Sequence, residues 1–138
     1  MRAVGFAALS WLTAVAGAIA APESDCLARL RDAPPAARLA AGGEGTTLAF
    51  APSPWPLPVG QPLSLQIAVC PPATLVAVDA DMPAHRHGMN YRPSLRSLGD
   101  GRYAAEGLLL HMPGRWRFIF DLERDGRRLR LTRELDVP

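Results

Sequence analysis

From Thr46 onward the apolar residues come in short runs, each ended by proline or glycine, and this segmentation limits the fold more than any other feature. Leu63, Leu65, Ile67 and Val69 alternate with Ser64, Gln66 and Ala68. Successive strand residues face opposite sides, so this spacing predicts a strand with one buried face. A second run, residues 75–81, follows the Pro71-Pro72 break. Trp116, Phe118, Phe120 and Leu122 share one face of a later run, with Arg115, Arg117 and Asp121 on the other. Asp125-Gly126 predicts a tight hairpin that returns the chain through Leu129 and Leu131 to Val137. Residues 46–50, 94–98 and 102–110 complete the set, while Pro52, Pro54, Pro56 and Pro58 predict an extended crossing outside any ladder. With 14 prolines and 12 glycines the chain is poorly suited to a helical bundle. About seven short strands in roughly 95 residues predict an all-β fold, an immunoglobulin-like antiparallel β-sandwich over residues 45–138.

Residues 1–20 read as an address. Arg2 supplies a positive start, residues 4–15 an apolar stretch, and Ala18-Ile19-Ala20 a small-x-small cleavage site. Pro22 disfavours cutting after Ala21, which places the mature start at Ala21 after a signal peptide of residues 1–20. The rival reading is an uncleaved anchor, because residues 3–21 carry no charge and approach the ~20 residues needed to span a bilayer. Only in that case does the protein meet a membrane. Export predicts a periplasmic or secreted protein. Removing residues 1–20 leaves 118 residues with 14 Arg and 13 acidic side chains, a net charge of +1. That balance excludes a general nucleic-acid binder, which needs a large cationic excess.

Two cysteines, Cys26 and Cys70, survive cleavage. In an oxidising compartment they read first as a disulfide, closing a loop worth about 4 kcal/mol of denatured-state entropy. A thiolate metal ligand is the alternative, though neither has a His or second Cys at ligand spacing. A bridge would tie residues 21–44 to the sandwich. That segment is expected to be irregular, with one or two helical turns over residues 26–31 stopped by Pro34-Pro35.

All three histidines and all three methionines beyond Met1 fall between residues 82 and 112. Met82-Pro83-Ala84-His85-Arg86-His87-Gly88-Met89 holds four soft or borderline donors, and His111-Met112 stands before the turn at Pro113-Gly114. His85 and His87, two apart, would point the same way on an extended backbone. Gly88 would permit a turn bringing Met89 back toward them. Thioether and imidazole without carboxylate or thiolate favour copper, especially Cu(I), over zinc, magnesium or calcium. The candidate metal ligands are therefore Met82, His85, His87, Met89, His111 and Met112, and they form one site only if the two pieces meet at one end of the sandwich. Asp79 and Asp81 would orient a ligand imidazole from behind. The plainer reading makes the methionines apolar plugs at strand ends and the histidines loop residues. The sequence argues against a blue-copper site, because Cys70 precedes Pro71-Pro72 with no His nearby.

Enzyme signatures are sparse. The chain has no phosphate loop, no His-Glu-x-x-His and no Gly-x-Ser-x-Gly. Asp79 and Asp81 would support a hydrolase only if both faced one pocket. The expectation is a non-enzymatic protein. Arg124, Arg127, Arg128, Arg130 and Arg133 crowd the last hairpin, as either a charged edge that resists strand pairing or a surface for an anionic partner.

Met82-Pro83-x-His85-x-His87-Gly88-Met89, then Gly99-Asp100-Gly101-x-Tyr103, then Leu110-His111-Met112-Pro113-Gly114-x-Trp116 resembles the YtkA-like domain family, related to FixH-like proteins. The resemblance covers residues 61–137 and implies a small exported β-sandwich engaged in copper handling or respiratory-oxidase assembly. The leading expectation is a copper-binding protein whose partner is a periplasmic copper protein or an oxidase-assembly factor. The alternative is a metal-free interaction module that assists assembly of a respiratory or membrane complex.

Overall fold

Sheet formation follows the in-and-out alternation read above. The computed structural model describes residues 22–71 and 73–138, and the expected signal peptide lies outside the described residues. Among those residues are nine strands: β1 (Leu39–Gly43), β2 (Thr46–Ser53), β3 (Pro62–Cys70), β4 (Thr74–Met82), β5 (His87–Gly88), β6 (Ser94–Gly99), β7 (Arg102–Leu109), β8 (Gly114–Arg124) and β9 (Arg127–Val137). They form two antiparallel sheets, β1-β2-β3-β7-β6 and β5-β4-β8-β9. Setting β1 and β5 aside, the orders β2-β3-β7-β6 and β4-β8-β9 match the A-B-E-D and C-F-G sheets of an immunoglobulin domain. The chain is an all-β sandwich.

The core forms where the inward residues of both sheets meet. Leu63, Leu65, Ile67 and Val69 of β3 face Trp116, Phe118, Phe120 and Leu122 of β8 across it, all buried. Phe50 of β2 lies with its ring centre 4.9 Å from Phe120 and 5.7 Å from Phe118. Burying each such side chain stabilises the fold by roughly 1.5–3 kcal/mol.

Three features of the sheets depart from the sequence reading. The first sheet begins at Leu39, inside the segment expected to be irregular, where β1 pairs along β2 from Leu39 opposite Phe50 to Gly43 opposite Thr46. Leu-Ala-Ala-Gly-Gly has neither alternation nor β-branched residues, so the ladder with β2 rather than propensity makes this strand. Pro52, expected outside any ladder, is the last residue but one of β2 and stands opposite Leu65. Pairing with β1 stops at Phe50, so beyond it one edge of β2 is open, the setting that tolerates proline. The third departure is β5, two residues long within the expected loop.

Helix α1 (Pro22–Ala28), which starts four residues before the turns expected over residues 26–31 and gives way to non-helical turns after Ala28, covers the outer face of the first sheet. The sequence permits this because the outward residues there are small. Ala49 and Ala51 of β2 and Ala68 of β3 form a platform against Cys26, Leu30 and Ala33, all buried. Cys26 and Cys70 are joined in a disulfide with Cα atoms 5.7 Å apart. Arg29 adds hydrogen bonds from its guanidinium to the Val69 carbonyl (3.3 Å) and to the Asp100 carbonyl. No helix among the described residues is long and apolar enough to cross a membrane.

The outer face of the second sheet is a ladder of ion pairs. Arg117 grips Asp81 with two hydrogen bonds (2.9 and 2.6 Å), Arg130 grips Asp121 (2.7 and 2.9 Å), and Arg115 grips Asp136 (3.0 and 3.1 Å). Where β1 and β9 approach, Arg124 donates to the carbonyls of Glu44 and Gly45 and contacts the Thr46 hydroxyl, while Arg133 reaches the Ala40 carbonyl at 3.5 Å. Arg124, Arg130 and Arg133 of the last hairpin are thus engaged within the chain itself.

Candidate metal centre

Strand register decides where the His and Met residues go. In the β4–β8 pair Asp81 stands opposite Arg117, which sets the Met82 end of β4 beside the Gly114 start of β8. The hairpin leaving β4 and the connection entering β8 therefore share one end of the sandwich. The requirement that the two pieces meet is fulfilled.

The hairpin turns over residues 83–86. The His85 amide donates to the Met82 carbonyl at 3.1 Å, with Pro83 supplying the preset φ of the second turn position. Arg86 takes the left-handed φ of +54°. His87 then pairs opposite Met82 and Gly88 opposite Asp81, and the Met89 amide donates to the Ala80 carbonyl at 3.2 Å. This corrects two expectations. His85 and His87 do not share an extended backbone, because His85 lies in the turn and His87 on a strand. The turning residue is Arg86, not Gly88, which lies within β5.

The rings nevertheless gather. His85 and His87 have ring centres 6.3 Å apart, and His87 and His111 6.2 Å apart. Two imidazoles on opposite sides of one ion stand about 6 Å apart, each contributing a bond of about 2 Å and a ring radius of about 1.2 Å. The observed spacing lies in that range. All three histidines are exposed, and Met89 and Met112 are half-buried against the core. Among the described residues no three of the His, Cys, Asp and Glu side chains are grouped so as to hold a metal ion.

Met82 behaves differently from its sequence neighbours. It is 1% exposed, and its Cε lies 2.7 Å from where a β-carbon on Gly114 would stand. Gly114 has φ +128°, so the absence of a side chain serves both backbone and packing there. Met82 thus sits in the core beneath the ring cluster.

The carboxylates are committed elsewhere. Asp81 is held by Arg117, and the Asp79 carboxylate accepts from the Ala80 amide at 2.8 Å. Neither is hydrogen-bonded to an imidazole among the described residues, so the orienting role suggested by the sequence has no contact behind it here. The carboxylate of Asp81 also turns to its cross-strand Arg117 rather than sharing the concavity that Asp79 lines with Arg92, Asp121 and Arg130.

One residue of this end was not singled out from the sequence as part of the site. Trp116 is fully buried, packs against His111 with ring centres 5.3 Å apart at 88°, and donates from Nε1 to the Met112 carbonyl at 2.9 Å. Its spacing four residues after Met112 was the available signal. No family model matches the chain, and neither a curated protein nor a solved structure is significantly similar to it.

Proposed function

We propose that this protein is exported and binds a copper ion, Cu(I) in preference, at the end of the sandwich where residues 82–89 meet residues 111–112, and that it serves in copper handling or delivery. The observation that carries the reading is the approach of His87 to His111 at 6.2 Å from two separate connections. Imidazoles from His85, His87 and His111, with the thioethers of Met89 and Met112 close by in sequence, make a borderline-to-soft donor set. Such a set suits copper and offers no oxygen ligand to magnesium or calcium. The likeness of these motifs to YtkA-like domains supports the reading, and the Cys26–Cys70 bridge supports an oxidising compartment. Exposed histidines suit a site that gives up its ion to a partner, such as a periplasmic copper protein or an oxidase-assembly factor.

Titration of the purified protein with Cu(I) against a chromophoric chelator tests this. The expected uptake is about one ion per chain, lost when His85→Ala and His87→Ala are combined. Unchanged stoichiometry in the double variant overturns the proposal. A wild-type protein that takes up no Cu(I) also overturns it, in favour of the metal-free interaction module.

A further inference from the structure

His87 and His111 reach the same place by different means. His87 is fixed by the β4–β5 ladder, opposite Met82. His111 lies in the irregular connection between β7 and β8, where the strand ladders have stopped. That connection is pinned at its start by the Gly60 amide, which donates to the Leu110 carbonyl at 2.8 Å. Beyond Leu110 the hold comes from Trp116. Its indole N–H ties down the Met112 carbonyl, and its ring offers His111 an edge-to-face partner at 5.3 Å. That separation falls within the ~4.5–7 Å range of favourable aromatic pairs. Trp116 is fully buried, so its own ring is fixed by the core.

We infer that Trp116 is a positioning residue: it holds His111 and Met112 toward His87 and so preorganises the half of the site that no strand ladder supports. The consequence for copper rests on the reading proposed above, whereas the positioning itself does not. A buried indole suits this task because one side chain provides both a rigid flat surface and a directed donor. Outer-shell groups that orient ligands typically contribute roughly 10- to 100-fold to metal affinity.

Trp116→Phe is the test, with Leu122→Ala as the comparison. Leu122 is equally buried on the same strand but six residues farther along, about 20 Å away. In the metal-free protein the ring proton resonances of His111 should move toward free-histidine positions in Trp116→Phe, while those of His85 stay in place and Leu122→Ala changes neither. His111 resonances that do not move overturn the inference, whatever the copper result. In the loaded protein Cu(I) affinity should fall roughly 10- to 100-fold in Trp116→Phe and hold in Leu122→Ala. Equal losses in both variants, or none in the first, overturn it. Should Trp116→Phe fail to fold, wild-type protein labelled with 5-fluorotryptophan decides. The Trp116 fluorine signal should shift when His111 is changed to Ala, and a signal that stays overturns the inference. Absence of copper uptake by wild type defeats the functional reading alone, since the resonances of His111 decide the positioning separately.

Discussion

Met82 and Met89 are seven residues apart and chemically identical, yet one is core and the other is half-buried at its margin. Each is a methionine next to a loop, and only the register that puts Met82 under Gly114 tells them apart. The same holds for Asp81, whose partner Arg117 is 36 residues away and becomes its neighbour only through the β4–β8 ladder. Charged pairs on that face make a specific prediction. A hydrogen bond from Arg130, with the charges of Arg130 and Arg128, holds the Asp121 carboxyl below its ordinary pKa, against the opposing effect of burial. Arg115 does the same for Asp136. A carboxylate depressed in the folded state adds stability above its unfolded pKa, and that gain is lost as pH falls through the folded value. Arg130→Ala should therefore lower stability by about 0.2–1 kcal/mol at neutral pH and flatten the acid limb below about pH 4. Urea midpoints measured from neutral to strongly acid pH, at low and high salt, check this. A parallel offset persisting to the lowest pH would refute it.

At the scale of elements, legibility followed burial on one face. Strands β3, β4, β8 and β9 announce themselves because one face meets the core and the other meets water, which writes a period of two into the sequence. Strand β1 and the two-residue β5 carry no such pattern, and both exist through pairing with a better-marked neighbour. The candidate site shows the same division. Its donors were readable by type, and their grouping into two pieces was readable from the turns. Their meeting depended on register, and the role of Trp116 depended on a tertiary contact. Helix α1 is too short to persist alone, and its hold on the sheet comes from the alanine platform and the disulfide. Reduction should lower stability by about 2–4 kcal/mol. It should also speed tryptic cleavage after Arg29 and Arg31 while Arg117 and Arg124 stay protected. Urea unfolding and timed digestion with and without reductant give both results, and equal cleavage rates would refute the assignment of α1 to the bridge.

Seen as a whole, the molecule closes its two sheets differently on its two sides. On one side β1 and β9 approach, and Arg124 and Arg133 reach across to backbone carbonyls of residues 40–45. On the other, β6 is a short, exposed edge strand containing Arg96 and ending in Gly99, features that discourage pairing with another chain. The cluster of histidines sits at an end, not a side, where the chain passes from the first sheet to the second between β7 and β8. Ligands drawn from the β4–β5 hairpin and from that crossing would link the layers. Binding there should stabilise the folded state as a unit.

Strand β2 has core on one face, the alanine platform and α1 on the other, and a paired strand along each edge as far as Phe50. Solvent can reach its amides only if helix, neighbour and sandwich give way together. In deuterated water the amides of Leu48, Ala49 and Phe50 should be the last to exchange, at a rate set by global unfolding, while those of β6 exchange early. Breaking the Cys26–Cys70 bridge should hasten exchange at Ala49 before it is felt at Phe118. The small residues that let a helix settle on this sheet would then mark where the protein opens last.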